Sequence, residues 1–504
     1  MPAPRWHLPL LLIVAALVYL PSLSAHGFRS TEGHRAIPGF ELRATGEVLP
    51  TRMFEQAYLR KPPGMPWAIA ISDALLNTVG IDNPELAARL PSAAAAIAMA
   101  LVAYWFARLW TGPRWALAAG LAQALFPRMW MTGRAAEIEA PHNLFVQLAA
   151  LALVQACLVL VTKRARAMLP WAVLSGIGLF GAFLFKGPAG WMVPALVALA
   201  AAITLRRAIV LLPLAVALAI GGALSGALVW LIAQTLGEEP AITQSPEAFL
   251  FAYDQLGKVA AMPATALAGA LPLSILLVFP FRAKAFEEAG GSRSGDRTTL
   301  APTFLSARIL AVGFLLALAV MTAIGVINPR YTDPALVLLA PIAAYALWGW
   351  SGGFTADRRA WTRAFGLGYP AVWPAVLAIG AVVWIVHFER ERGEDSGREP
   401  GLALSASIPD GATVWAEGMV EARPETLWYA AQGFGRGRNV GVLWKKDEIA
   451  ALELPEAGGY LLLRDDELAA YQAAYEGAGV AIEVITTGAV HEYGFALVRV
   501  AAGG

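Results

Sequence analysis

Long apolar runs separated by short charged or Pro/Gly-rich breaks fill most of the chain. A spanning helix needs about 20 apolar residues, and the runs that qualify predict about eleven spans. They are 8–22, 88–109, 114–131, 141–161, 169–185, 189–205, 209–235, 262–281, 308–327, 332–350 and 369–387. Tight pairs are separated by hinges at Arg108 to Arg114, Lys163 to Arg166, Lys186–Gly187–Pro188 and Arg206–Arg207. The first run follows Arg5 and His7 and reads either as a span or as a cleaved leader, with small residues at Ser22, Ser24 and Ala25. Both readings export residue 26 onward. The loop 23–87 is too long for a plain connection. Its periodicity predicts short helices along the membrane surface at Glu32 to Thr45 and Pro66 to Val79, with another at Pro246 to Leu256. The insert 282–307 is rich in Gly, Ser and charge and reads as flexible. From about Gly393 the pattern turns soluble. ATVWAEG, GYLLLR, VAIEVITTG and YGFALVRVA read as strands, and ETLWYAAQ and DELAAYQAAYEGA as helices. The reading is an α-helical polytopic membrane domain over 1–390 and a small soluble α/β domain over 391–504.

Composition agrees with lipid exposure: 58% of residues are hydrophobic and 15% charged, against about a quarter charged in soluble domains. A net charge of +1 gives no footprint for nucleic acid. The single cysteine, Cys157, lies in an apolar run and reads as packing. Trp110, Trp130, Trp171, Trp191, Trp348 and Trp350 stand at run ends, as in an interfacial aromatic belt. With the N-terminus cytoplasmic, the basic clusters between spans (Arg108/Arg114, Lys163–Arg166, Arg206/Arg207, Arg282–Arg308, Arg358–Arg363) all fall inside, as the positive-inside rule asks. The tail then lies outside, which in a bacterium means an inner-membrane protein with a periplasmic C-terminal domain.

Charge at membrane depth is costly, so charges at helix mouths carry information. On the outer side they gather from several loops: Glu32, His34 and Arg35; Arg60 and Lys61; Arg134, Glu137, Glu139 and His142; Lys186; Arg330 and Asp333. Singly, each reads as a solvated loop residue, a snorkelling anchor or a structural ion pair. Together, acids and cations on one face suit a hydroxyl acceptor and an anionic phosphate donor. The scattered histidines have no metal-ligand spacing, although His26 and His34 share a loop with Glu32 and leave a divalent cation conceivable. No Gly-rich phosphate loop stands in a strand–turn–helix frame.

Five stretches resemble the polyprenyl-phosphate-sugar glycosyltransferases of the C-type membrane fold, a group that includes the lipid A aminoarabinose transferase and the protein O-mannosyltransferases. They are STEGHRAIPGFELRATGEVLPTR, YLRKPPGMPWAIA, GRAAEIEAPHNLF, FLFKGPAGWMVP and NPRYTDPALVLLAP, in order, over residues 8–350. Two departures stand out: Thr31 where the family has Asp, and Arg60 where it has Glu. The resemblance implies an inverting, metal-optional transfer from a polyprenyl (undecaprenyl) phosphate-linked sugar to a hydroxyl-bearing lipid, glycan or protein acceptor. It implies Glu32, then Glu139, as the acceptor base, and Lys61, Lys186 and Arg330, with Arg60 added, on the donor phosphate. Arg134 would orient Glu139, with His34 and Tyr331 in support. The loop 236–261 would cover the cavity and the tail would hold the acceptor or cap the face. The alternatives are a catalytically inactive lipid-binding relative or a lipid transporter. A transporter is disfavoured because charges gather at one face rather than near the midplane.

Overall fold

The computed structural model describes residues 5–162, 165–237, 241–242, 256–271, 273–281, 302–326, 328–348, 379–380, 382–383, 385–387, 396–416, 423–431, 439–442, 459–477, 479–490 and 493–500. The membrane part is a helical bundle whose middle is α7. Its helices are α1 (His7–Tyr19), α4 (Pro84–Thr111), α5 (Pro113–Ala124), α6 (Pro127–Gly133), α7 (Glu139–Thr162), α8 (Leu169–Lys186), α9 (Met192–Leu205), α10 (Leu212–Leu236), α11 (Leu256–Gly269), α12 (Pro302–Ala323), α13 (Asp333–Leu336) and α14 (Leu339–Trp348). Two shorter helices, α2 (Gly33–Thr45) and α3 (Gly64–Thr78), lie between α1 and α4. Among the described residues five helical stretches are long and apolar enough to cross a membrane: Pro84–Thr111, Glu139–Thr162, Ala165–Leu205, Ala208–Leu236 and Pro302–Ala323.

Helix α7 packs against α4, α8 and α9 and is buried along most of its length. Small residues make this possible, because helices in lipid associate through close backbone approach. A Cβ on Gly178 of α8 would lie 2.9 Å from the Ala149 backbone nitrogen of α7, and one on Gly176 would lie 3.0 Å from the Ala217 carbonyl of α10.

Some expected spans are broken. The run 114–131 divides into α5 and α6 because Pro127 starts a new helix and offers no N–H to continue the old one. The run 332–350 divides into α13 and α14. Most of the expected spans 262–281 and 369–387 and of the helix at 246–256 behave differently: the first is an α-helix followed by a 3₁₀ segment Leu273–Phe281, and the other two lie largely outside the described residues, as does most of the insert 282–307.

The loop 23–87 is ordered, and its two helices coincide with the two expected amphipathic stretches. Between them a tight hairpin joins β1 (Arg52–Met53) to β2 (Gln56–Tyr58). Phe54 and Glu55 at its tip both have positive φ, the geometry of a two-residue hairpin turn. The buried Glu41 carboxylate of α2 accepts the N–H groups of both tip residues, which fastens the hairpin to α2. β3 (Ala241–Ile242) adds to β2 in parallel. Of the loop 236–261 expected to cover the cavity, residues 238–240 and 243–255 lie outside the described residues, and 256–261 form the start of α11.

Among the described residues the C-terminal domain has a five-stranded sheet in the order β5-β4-β6-β8-β7. Its strands are β4 (Thr413–Ala416), β5 (Asn439–Val442), β6 (Tyr460–Arg464), β7 (Ile482–Val490) and β8 (Tyr493–Val500). β5, β4 and β6 are parallel, and β8 and β7 are antiparallel additions. Helices α15 (Arg398–Ala406), α16 (Pro424–Ala430) and α17 (Asp465–Gly477) accompany it. Through α16 the domain docks onto the first loop. Trp428 stacks on Phe40, Tyr429 stacks on Phe28, and the Tyr429 hydroxyl accepts from the Phe28 N–H and donates to Glu85.

Candidate active site

The site forms where one end of α7 meets the end of α8 and the 3₁₀ turn Pro329–Thr332. Glu139 is the first residue of α7, so the helix N-terminus already favours negative charge there. The Lys186 ammonium, on the last residue of α8, donates to Glu139 Oε1 at 3.1 Å. Gly187 (φ +70°) reverses the chain immediately afterwards and keeps this lysine at the helix mouth. Arg330 Nε lies 4.0 Å from the same carboxylate oxygen. The Tyr331 ring sits under both cations, 4.8 Å from Lys186 Nζ and 5.9 Å from the Arg330 guanidinium carbon. The second oxygen, Glu139 Oε2, is buried and makes no hydrogen bond among the described residues.

Two further cations complete the group. Lys61 follows the β1–β2 hairpin and is within electrostatic reach of Arg35, Lys186, Glu139 and Arg330. Burial, then the neighbouring Arg35 and Lys186 charges, pull its ammonium down to about 8. Burial and crowding by like charges both disfavour the charged ammonium, and the nearby Glu139 carboxylate offsets them only in part. Arg35 of α2 donates to the Tyr58 hydroxyl at 2.9 Å, which ties the helix to the hairpin that carries Lys61.

Glu137, two residues before α7, is partly exposed and accepts a hydrogen bond from the Thr31 hydroxyl. Burial and the adjacent Glu139 carboxylate push its carboxyl well above the ordinary range, against the pull of Arg35 and Arg330. Asp333, fully buried, is held by Arg128 Nε at 2.8 Å and lies within electrostatic reach of Glu139 and Lys186.

The structure therefore brings together Glu139, Lys186, Arg330, Tyr331 and Lys61. Glu32 has a different setting. Its carboxylate accepts from Arg89 Nε and Nη2, both at 2.8 Å, from the Ala136 N–H at 2.8 Å and from the Arg29 N–H at 3.2 Å. Both charged side chains are almost wholly buried. Such a carboxylate is engaged in holding the loop to α4 and has little capacity left to take a proton. Arg134, expected to orient Glu139, donates instead to the Val18 and Pro21 carbonyls, at 2.9 and 2.6 Å. Its charge caps the C-terminal end of α1, where orphan carbonyls and the helix dipole attract a cation. His34 is buried in the first turn of α2, and Arg60 is partly buried in the turn after β2. Arg89, the partner of Glu32, lies inside an apolar run, so loop charge does not reveal it; an arginine within a span was the available signal. Among the described residues no group of three or more His, Cys, Asp or Glu is placed to hold a metal ion.

Residues 60–241 match the family model described as dolichyl-phosphate-mannose-protein mannosyltransferase. The undecaprenyl phosphate-alpha-4-amino-4-deoxy-L-arabinose arabinosyl transferase 1 of Pseudomonas fluorescens is 33% identical over 209 residues, covering 40% of this chain and 36% of the relative. The match thus spans about a third of that relative's length. A second such transferase from the same species is 27% identical over 402 residues, 77% of this chain and 66% of the relative. The crystal structures of ArnT from Cupriavidus metallidurans, apo and bound to undecaprenyl phosphate, share the fold with a TM-score of 0.67 over 97% of both chains, at 15% and 16% identity. The Archaeoglobus fulgidus oligosaccharyltransferase in complex with Zn and sulfate matches with a TM-score of 0.55 at 12% identity, over 93% of this chain and 69% of that one. This multi-pass membrane protein is thus similar in sequence to the undecaprenyl-phosphate arabinosyl transferases and shares the fold of ArnT.

Proposed function

We propose that the chain transfers a sugar from undecaprenyl phosphate to a hydroxyl-bearing acceptor at the outer face of a bacterial inner membrane. The observation that carries this reading is the convergence of Lys186, Arg330, Lys61 and Arg35 on the two carboxylates at the mouth of α7. A lipid-linked donor keeps its tail among the spans and its phosphate at the headgroup level, where these cations sit. As the bond from the sugar to the phosphate oxygen breaks, negative charge grows on that oxygen. Preorganised cations in a water-poor site stabilise it most at that moment. Lys186 and Arg330, already turned toward one carboxylate oxygen, would exchange part of that contact for the phosphate. The neighbouring acids supply the proton acceptor. The orientation follows the basic loops: the N-terminus is cytoplasmic and the docked C-terminal domain lies on the outer, periplasmic side, over the first loop.

Purified protein in lipid nanodiscs, mixed with radiolabelled undecaprenyl-phosphate sugars and lipid, glycan and protein acceptors, tests the reading. The expected result is label moving to an acceptor with inversion at the anomeric carbon. Label that stays on the donor with every acceptor, while undecaprenyl phosphate still binds, would replace this reading with that of an inactive lipid-binding relative.

A further inference from the structure

We infer that Glu137 is the general base that takes the proton from the acceptor hydroxyl, and that Glu139 serves as the anchor that holds Lys186 and Arg330 in place. The inference rests on the transferase reading and assigns roles within its site.

Three glutamates lie near the mouth of α7, and their surroundings separate them. Glu32 is saturated by Arg89 and two backbone N–H groups and is 1% exposed. Glu139 is 4% exposed and faces two cations through one oxygen. A carboxylate so paired is a poor proton acceptor, because protonating it would leave the largely buried Lys186 without its counter-charge and remove that of Arg330 as well. Glu137 alone of the three is partly open to the site, and no basic side chain lies within ion-pair distance of it among the described residues. Its carbonyl accepts from Ser92 and its N–H donates to Ala135, while the one hydrogen bond of its carboxylate among the described residues is that which Oε1 accepts from the Thr31 hydroxyl. That bond fixes the direction of the carboxyl and leaves Oε2 for an incoming hydroxyl.

The charged groups facing Glu137 are Glu139 from α7, Arg35 from α2 and Arg330 from the turn 329–332. Burial and Glu139 raise its proton affinity and outweigh the two arginines. A base whose proton affinity lies nearer neutrality removes a hydroxyl proton more effectively than an ordinary carboxylate. In the step, the acceptor O–H bond breaks and its proton moves to Glu137 Oε2. The acceptor oxygen forms a bond to the anomeric carbon. The bond from that carbon to the phosphate oxygen breaks, and its electron pair stays on the phosphate, beside Lys186, Arg330 and Lys61. Glu137 then returns its proton to solvent.

The test compares wild type, Glu137→Gln, Glu137→Asp, Thr31→Val and Glu139→Gln in nanodiscs. It uses undecaprenyl phosphate alone as the binding probe and the radiolabelled undecaprenyl-phosphate sugars above as donors. Glu137→Gln is expected to lower kcat about a hundred- to ten-thousand-fold, the usual weight of general-base catalysis, with undecaprenyl phosphate binding within about twofold of wild type. Glu137→Asp restores part of kcat and moves the acidic limb of the pH–rate profile to lower pH; Thr31→Val shifts the same limb and lowers kcat less. Glu139→Gln weakens undecaprenyl phosphate binding by disordering the two cations. An active wild type whose Glu137→Gln variant keeps its kcat overturns the assignment and leaves the transferase reading intact. The same holds if Glu137→Gln loses undecaprenyl phosphate binding more than tenfold, which would place Glu137 in the phosphate site. A wild type that transfers no sugar overturns both.

Discussion

Replacing Glu32 by Gln should damage folding before it damages chemistry. The side chains of Glu32 and Arg89 are 2% and 1% exposed and meet through two hydrogen bonds of 2.8 Å. Arg89 also donates to the Leu23, His26 and Gly27 carbonyls, so it gathers the whole start of the first loop onto α4. Gln keeps the shape and one acceptor, but it leaves the guanidinium charge without a buried counter-charge. Breaking one side of such a pair costs about 3–5 kcal/mol. The lower figure is about a hundredfold in the ratio of folded to unfolded protein. Arg89→Met should cost at least as much, because three carbonyls and a carboxylate lose their donor together. The double variant should recover part of the sum, with a coupling of about 1–3 kcal/mol for two groups in direct contact. Equilibrium unfolding in mixed detergent–SDS micelles, followed by tryptophan fluorescence, measures all three values. Transfer per folded molecule, measured on the same samples, should stay within a few-fold of wild type. A Glu32→Gln variant as stable as wild type but devoid of transfer would refute the reasoning and return the base to Glu32.

Lys61 gives a pH test. Its proton is lost near pH 8 rather than near 10.5, so the site loses a positive charge as pH rises through 8. Undecaprenyl phosphate binding should therefore weaken between about pH 7 and about pH 9.5, and Lys61→Arg, which keeps its charge across that range, should flatten the curve; an unchanged slope would exclude Lys61 from the phosphate site. Tyr429→Phe removes the hydroxyl that joins the Phe28 N–H to Glu85, at a cost of about 1–3 kcal/mol for buried groups left unpaired. Protease should then cut more readily between the C-terminal domain and the spans. Gly178→Ala places a methyl 2.9 Å from the Ala149 backbone nitrogen; α8 must move off α7, carrying Lys186 with it, and both thermal stability and undecaprenyl phosphate affinity should fall.

The elements that the sequence makes legible are those whose pattern is local. The amphipathic period over 33–45 and the apolar run over 139–162 each specify a helix without help from distant residues. The strands YLLLR and YGFALVRV are short apolar runs rich in β-branched and aromatic residues or bounded by turn residues, and can be read directly. Asn439–Val442 does not, since four residues with a glycine acquire strand character only by pairing with Thr413–Ala416. The break at Pro127 was legible from the proline itself, yet hydropathy averaged across 114–131 conceals it. Arg89 is concealed in the same way, and its partner lies 57 residues earlier in the chain.

The two acids before and at the start of α7 show why roles within a site are harder to read than its location. Glu137 and Glu139 are two residues apart, and in sequence they are interchangeable members of one acidic loop. The helix begins between them. Glu139 takes the first helical position, where the dipole and the free N–H groups of the first turn favour a negative charge, and the ends of α8 and the 329–332 turn bring Lys186 and Arg330 to it. Glu137 remains in the irregular segment, with Thr31 from the first loop as its partner. An acid two residues before the first helical position thus acquires a different electrostatic neighbourhood. In the same irregular segment the Ala136 N–H is held by Glu32, and Glu32 by Arg89. The buried ion pair therefore steadies the segment that carries Glu137 against the first loop, so that its loss acts on folding before it acts on chemistry.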